Sequence, residues 1–168
     1  MGITFEQIGI IALIAFTGLS AGLCFTWSNA VTPGIGRLDD LRYLMSFQQM
    51  NRAILNPVFF VVFFGPSVLG FIYLYGLRSA SSAIISLFAI AVAIYFLGVV
   101  LVTIFGNVPL NNILDTAELS SASREEIRAL RDAFEIKWNR LHLIRTISAV
   151  VSFLLLIISL IQITKSNI

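Results

Sequence analysis

Three residues in the last third of the sequence carry side chains of the kinds that bind ligands and move protons. Trp138, His142 and Arg145 follow one another at i, i+4 and i+7, so a helix places them on one face, where they continue an apolar stripe. If this helix enters a membrane, ionisable side chains at that depth usually face a cavity or a partner. The alternative places both at the level of the lipid headgroups, with Trp138 as an interfacial anchor. The spacing alone leaves both interpretations open.

Five further polar residues are expected on the same side of a membrane as this face. All eight are predicted to meet at the cytoplasmic end of a helix bundle and to cap a mostly apolar cavity, the usual signature of a small-molecule site. Two alternatives stand beside this prediction. An arginine can snorkel to the membrane surface, and asparagines around a proline can simply stop a helix. The five residues are Asn51, Arg52, Asn107, Asn111 and Asn139.

The elements that must position these residues are four long apolar stretches. They are defined by gaps without any Asp, Glu, Lys or Arg, which lie between residues 6 and 37, 52 and 78, 78 and 115, and 145 and 165. The stretches lie at about 8–31, 57–75, 81–106 and 143–163, and each is long enough to cross a hydrocarbon layer as a helix. Hydrophobic residues make up 58% of the chain and charged residues 12%, against roughly 25% charged in soluble domains. Because lipid offers the backbone no hydrogen bonds, the runs should be helices. The sequence predicts one all-α domain, an integral membrane four-helix bundle.

The two long connections are predicted to contain amphipathic helices at the membrane interface. Residues 37–56 mix apolar and charged side chains and lead through Pro57 into the second crossing. In the connection between crossings three and four, Ser123-x-x-Glu126 has the pattern of a capping box and begins a helix. That helix is expected to continue into the fourth crossing. The first crossing is expected to end at Thr32-Pro33-Gly34, and the third at Pro109.

Four crossings place both long connections on one side of the membrane. Of the eleven Lys and Arg residues, only Arg78 and Lys165 lie on the other side. The positive-inside rule therefore predicts cytoplasmic connections and external termini, in the plasma membrane, which is the inner membrane of a bacterium. The first run has no Lys or Arg before it and exceeds the usual apolar length of a signal peptide, so we expect it to be retained.

Composition argues against several classes of site. With one cysteine and one histidine, the chain offers too few ligands for zinc, haem or an iron–sulfur cluster, and we expect neither metal nor cofactor. The net charge of +2 is too small to indicate a nucleic-acid partner. The expected partners are the bilayer and a lipophilic small molecule.

Two features of the crossings each allow two interpretations. Gly18 and Gly22 lie on a stripe of small residues, which serves either packing within the chain or a homo-oligomer. Gly65-Pro66 lies in the middle of the Phe-rich second crossing, where proline kinks a helix. The kink either opens a ligand pocket or serves packing alone.

Several motifs resemble those of a known family. The first crossing contains a glycine-rich motif, Gly18-Leu19-Ser20-Ala21-Gly22, which is followed by the turn Thr32-Pro33-Gly34. The second crossing begins with Asn51-Arg52-Ala53-Ile54-Leu55-Asn56-Pro57, and the third is followed by Asn107-Val108-Pro109-Leu110-Asn111. The fourth begins with Trp138-Asn139-x-x-His142-x-x-Arg145-Thr146. Together they resemble the anthrone-oxygenase-like family, a domain of unknown function in small four-helix membrane proteins. The resemblance covers nearly the whole chain.

The resemblance implies a chemistry, since some fungal members oxidise anthrones to anthraquinones with O₂, without metal or flavin. A base can convert an anthrone into an electron-rich anion that reacts with O₂ itself. His142 would be that base, because histidine exchanges its proton near neutral pH. Arg145 or Arg52 would stabilise the oxyanion, and Trp138 would stack on the substrate.

The alternative is a protein without catalytic activity that binds a lipophilic ligand or acts as a scaffold for a partner. A transporter is less favoured, because the two halves share no repeated pair of broken helices.

Overall fold

The computed structural model describes the backbone of residues 5–76 and 82–166, and the side chains of residues 8–76 and 85–162. Within these ranges every regular element is a helix, which confirms the all-α prediction. The α-helices are α1 (Phe5–Thr26), α2 (Thr32–Ile35), α3 (Asp40–Ile54), α4 (Pro57–Gly76), α5 (Ser82–Tyr95), α6 (Val108–Asp115) and α7 (Arg124–Ser166).

Four helical stretches are long and apolar enough to span a membrane, as predicted. They cover Ile8–Ile35, Pro57–Gly76, Ile85–Asp115 and Arg124–Gln162, and α3 is a shorter helix between the first two. The protein is therefore an integral membrane protein. The predicted turn at 76–80, the proposed start of the third crossing at residue 81 and the side chains of Arg78 and Lys165 lie outside the described residues.

The third crossing runs further than the sequence suggests, whereas the first ends where it was expected to end. Each contains π-helical turns, Trp27–Val31 in the first and Phe96–Leu101 with Thr103–Asn107 in the third. Pro33 and Pro109 follow these turns in the first turns of α2 and α6, where a missing N–H is tolerated. The first crossing ends at Ile35, directly after Thr32-Pro33-Gly34, which confirms that prediction. The third continues past Pro109 to Asp115, so the prediction that Pro109 ends it is wrong.

The crossings pack around one another as a bundle. Helix α1 lies against α4 and α7, while α5 lies against α7 and against α4. A Cβ placed on Gly18 would come within 2.9 Å of the Phe153 ring, so α1 and α7 approach closely because this position has no side chain. A Cβ on Gly22 would meet nothing within 4 Å.

Helix α7 is longer than any membrane requires. Its 43 residues span roughly 65 Å at 1.5 Å per residue, about twice the hydrocarbon thickness. Its first half projects from the bundle, and α3 and α6 pack against it. We call α3, α6 and residues 124–137 the cap. The predicted capping box begins α7, because the Ser123 N–H donates to Glu126 and the Glu126 N–H donates to Ser123.

The cap has its own hydrophobic core and its own polar anchor. Tyr43, Leu44, Phe47 and Phe134 belong to one buried cluster. On the same side of α7, Arg131 donates hydrogen bonds to the carboxylates of Glu135 and Asp40 and to two backbone carbonyls of residues 36 and 38. These contacts hold α3 against the first half of α7, at the end of the bundle where both long connections lie.

Candidate functional site

An apolar cavity of about 140 Å³ lies where the cap meets the bundle. All four crossings contribute to it, and the end of α3 covers one side. Phenylalanines of α4 make up much of its wall, and the polar side chains come mainly from α7. The lining residues are Leu23, Cys24, Trp27, Phe47, Asn51, Ile54, Leu55, Phe59, Phe60, Phe63, Phe64, Thr103, Ile104, Val108, Asn111, Trp138, His142 and Arg145.

His142 is held in one orientation by the first crossing. Its side chain is buried, with 3% of the residue exposed, and Nε2 lies 3.1 Å from the carbonyl oxygen of Cys24. A carbonyl can only accept, so Nε2 carries a proton, and the neutral ring keeps its lone pair on Nδ1. Nδ1 is buried and has no hydrogen-bond partner among the described residues. The ring therefore keeps one proton acceptor unused.

The Cys24 carbonyl lies in the last turn of α1, just before the π-helical turn at Trp27–Val31, and such turns often occur at functional sites. Thr146 Oγ1 also lies 3.3 Å from this oxygen and 2.8 Å from Ser28 Oγ. The second half of the first crossing thus binds α7 beside the cavity.

Arg145 is buried beside the cavity without a carboxylate partner. Only 9% of the residue is exposed, and its Nε has no hydrogen-bond partner. The ion pairs found among the described side chains do not include it. Its polar neighbours are the Cys24 thiol and the Tyr95 hydroxyl. A guanidinium in this setting attracts a negatively charged group that enters the cavity.

Aromatic rings hold Trp138 between the cavity and the cap core. Its indole stacks on His142, with centroids 4.7 Å apart and an interplanar angle of 14°, and Phe47 meets it edge-on. The indole Nε1 donates to Asn111 Oδ1 at 2.8 Å. One face of the His142 ring is therefore covered, and the α6 end of the cavity is tied to α7.

The structure brings five of the eight predicted residues to the cavity. Asn51, Asn111, Trp138, His142 and Arg145 line it, whereas the other three do not. Arg52 pairs with Asp115 at the exposed surface, with 2.6 Å between Nε and Oδ1. Asn107 is fully buried and donates to the Trp138 carbonyl at 3.4 Å. Asn139 lies on α7 away from the lining.

Sequence reasoning missed most of the aromatic wall. Phe59, Phe60, Phe63 and Phe64 line the cavity, and their only sequence signal is the Phe-rich half of α4 before Gly65-Pro66. Helix α4 continues through Pro66, and the Tyr95 hydroxyl lies 2.9 Å from the Phe63 carbonyl and 2.8 Å from Ser20. The cavity thus lies against the half of α4 that precedes the proline.

Metal-binding residues do not cluster in the described part of the chain. No group of three His, Cys, Asp or Glu side chains there could hold an ion.

Comparison with known proteins places the chain in a family. A profile of the anthrone oxygenase family matches residues 55–155, a range that includes α4, the third crossing and the Trp138–Arg145 face. Comparisons with curated proteins and with solved structures find no match. Since the profile covers more than half of the sequence and includes most of the cavity wall, the chain belongs to the anthrone oxygenase family.

Proposed function

We propose that this protein oxidises a lipophilic aromatic or quinone-like compound, such as an anthrone, with O₂ and without a bound cofactor. One observation carries the proposal: a base with a free lone pair, His142, and an unpaired buried cation, Arg145, line the same apolar cavity. A few polar groups converging on an apolar pocket are typical of small-molecule sites. Family membership favours this reaction, and the substrate itself is part of the proposal.

The reaction begins with proton transfer. His142 Nδ1 takes one proton from the acidic CH₂ group of the substrate, and the remaining electron pair spreads over the ring and the ketone oxygen. Positioned bases of this kind accelerate reactions by roughly 10²–10⁴-fold. The ketone oxygen becomes an oxyanion, which the Arg145 guanidinium stabilises.

The anion then reacts with O₂ itself. It transfers one electron to O₂, and the radical and superoxide combine to form a C–O bond. The peroxide takes back the proton from His142. Loss of water breaks the O–O bond and the second C–H bond and leaves a new ketone. The sum is anthrone plus O₂ giving anthraquinone plus water, and the protein returns to its starting state.

The remaining residues orient the substrate in this proposal. Trp138 and the Phe-rich wall hold its rings by stacking, and the side-chain amides of Asn51 and Asn111 contact its polar substituents. Asn107 positions Trp138 through the backbone, and Arg52 acts by tying α3 to Asp115. We assign Asn139 no contact with the ligand.

We also propose how the chain is placed in the cell. The whole sequence forms one domain in the plasma membrane, with the cap in the cytoplasm and the termini outside. The support is the concentration of Lys and Arg on the side of the cap. A homo-oligomer would form through the stripe at Gly22, where the face is open in one chain, because Phe153 closes the stripe at Gly18.

His142→Gln tests the proposed base. The glutamine amide can still donate to the Cys24 carbonyl, but it has no basic lone pair. In lipid nanodiscs, oxidation of 1,8-dihydroxyanthrone followed by absorbance should slow by roughly 10²-fold or more, while the melting temperature changes little. Arg140→Gln, at an exposed position on the same helix, should keep full activity.

Two outcomes would reject the oxidation. Unchanged turnover in His142→Gln would remove the base from the mechanism. Wild-type protein that binds the anthrone but does not exceed its spontaneous oxidation would favour the alternative, a membrane protein that binds a lipophilic ligand without catalysis.

A further inference from the structure

We infer that the cavity takes its ligand from the lipid bilayer, through an opening between α4 and the third crossing. The class of ligand is an uncharged, bilayer-dissolved aromatic compound, and a ring system with a fixed charge is excluded. This inference rests on the proposed function for the chemistry at the inner wall. Its physical basis is that the two sides of the cavity are closed in different ways.

The side toward lipid is closed by single apolar side chains. Phe60, Phe64 and Ile104 line the cavity, yet they remain 43%, 39% and 41% exposed. On a membrane-spanning helix, such exposure is to lipid. Phe64 lies roughly 10 Å along α4 from Pro57, at 1.5 Å per residue, so the opening is below the headgroups. A side chain here can rotate within nanoseconds and let a flat ring pass.

Helix packing explains why the gap exists at this end. Helix α4 contacts the third crossing chiefly through α5, which lies at the far end of the bundle. Toward the cap the two helices separate, and Phe59, Phe60, Phe63 and Phe64 fill part of the space with rings that pack on each other. No polar bond between α4 and the Thr103–Asn107 turn is found among the described residues.

The side toward water is closed by polar bonds and a packed core. Gln48 of α3 donates to the Leu114 carbonyl at 2.7 Å and to the Ala117 carbonyl at 3.1 Å. Next to it, Arg52 pairs with Asp115. Beneath these bonds lies the cap core, with Phe47 in edge-on contact with Trp138. Entry from water would require α3 to separate from α6, which breaks several hydrogen bonds at once.

Cavity size and polarity define the ligand further. The volume of about 140 Å³ is smaller than the roughly 300 Å³ at the lower end of drug-sized ligand pockets. A compound with several fused rings must therefore keep part of its surface in the opening, among the phenylalanines and lipid. Its acidic end faces His142 and Arg145. A neutral compound enters and forms its anion only inside, whereas a permanent charge would have to cross hydrocarbon first.

Two dyes with one ring system test this ligand class. The only two tryptophans of the chain, Trp27 and Trp138, both line the cavity, so their fluorescence reports occupancy. In nanodiscs, 1,8-dihydroxyanthraquinone should quench this fluorescence, and anthraquinone-2-sulfonate should quench it at least about tenfold more slowly in stopped flow. Equal rates for the two dyes, or no quenching by the neutral dye, would overturn the inference.

Variants on the two sides locate the entrance. Phe64→Ala widens the lipid side and should raise the association rate of the neutral dye about fivefold. The dissociation rate should rise by at least as much, because one ring of the wall is lost. Ile104→Phe narrows it and should lower both rates. Phe71→Ala and Ile90→Phe are matched controls, since these residues are exposed on the same two crossings but do not line the cavity.

Asp115→Ala tests the competing route. It removes the ion pair with Arg52 at the water side, and entry from lipid predicts unchanged rates. Faster entry in Asp115→Ala together with unchanged rates in Phe64→Ala would place the entrance at the water side and reject the inference. Because quenching requires no turnover, a protein that passes these tests and fails to oxidise the anthrone rejects only the proposed reaction.

Discussion

Arg131 in the cap and Arg145 at the cavity lie on the same helix and are both largely removed from water, yet their surroundings differ. The Arg131 side chain is 13% exposed and contacts the carboxylates of Asp40 and Glu135 at 3.0 and 2.7 Å. It also donates to two backbone carbonyls and lies 4.4 Å over the Tyr43 ring. Among the side chains that the structure describes, Arg145 has no carboxylate partner, and its Nε has no hydrogen-bond partner.

The difference separates an arginine that holds the structure together from one that is available to a ligand. Burying a charge without a partner is unfavourable by several kcal/mol, so such groups are rare unless they have a function. The protein satisfies Arg131 almost completely, which shows that acids and carbonyls can be arranged around α7. Leaving Arg145 unpaired therefore points to an anionic group that is present only part of the time, as the oxyanion in the proposed reaction would be.

Arg145→Met should give the largest functional change. Methionine keeps much of the length of the side chain but not its charge. Loss of oxyanion stabilisation should reduce oxidation of 1,8-dihydroxyanthrone by roughly 10²–10³-fold, while the melting temperature stays equal or rises because a buried unpaired charge is gone. Turnover and thermal unfolding in nanodiscs are the measurements. Full activity with a large drop in melting temperature would mean that Arg145 is structural, like Arg131.

Arg131→Met is the matched change at the other arginine and should have the opposite pattern. It leaves Asp40 and Glu135 without their cation and two carbonyls without donors. We expect a loss of about 2 kcal/mol in the free energy of unfolding, since hydrogen bonds to a charged group are lost but the carboxylates remain partly exposed to water. Turnover per folded molecule should stay within a few-fold of wild type. If Arg131→Met lost as much activity as Arg145→Met while its stability stayed unchanged, the two arginines would not differ in role.

The fold could be predicted from the sequence because lipid imposes simple rules. Charge-free runs of sufficient length must be helices, and the capping box at Ser123 marked the start of α7. The end of the third crossing could not be predicted in the same way. Proline signals a stop through its missing N–H, but Pro109 follows a π-helical turn and lies in the first turn of α6, where that N–H is not needed. The residue pattern carries no signal for this turn.

Some contacts of the candidate site could also be predicted from the sequence, and others could not. The spacing of Trp138, His142 and Arg145 on one helix is local, so the sequence indicates that they share a face. Asn51 and Asn111 were expected at the same cavity only because four crossings place both long connections on one side of the membrane. Arg52 was expected beside them, but its pairing with Asp115 depends on the distance between α3 and α6, which no local pattern encodes. The same holds for the Cys24 carbonyl, because any residue type could supply that oxygen.

Tyr43→Phe should have the smallest effect and tests the Arg131 side of the comparison. The Tyr43 hydroxyl is buried without a partner, so its removal should leave stability unchanged or raise it by about 1 kcal/mol near neutral pH. Burial, and then the negative charge of Glu135, raise the pKa of Tyr43 above its ordinary 10.0, while Arg131 opposes the shift.

The direction in which stability changes with pH depends on which state, folded or unfolded, keeps the Tyr43 proton. Above pH 10 the unfolded chain loses the Tyr43 proton and the folded chain keeps it, so unfolding releases a proton. Stability therefore falls with rising pH, by up to about 1.4 kcal/mol per pH unit for this one group. The folded and unfolded chains differ in protonation from about pH 10 upward. Denaturant unfolding in detergent between roughly pH 9 and pH 12 should therefore show a shallower decline above pH 10 in Tyr43→Phe than in wild type. Parallel declines would mean that Tyr43 ionises in the folded cap, and that the surroundings of Arg131 are open to water after all.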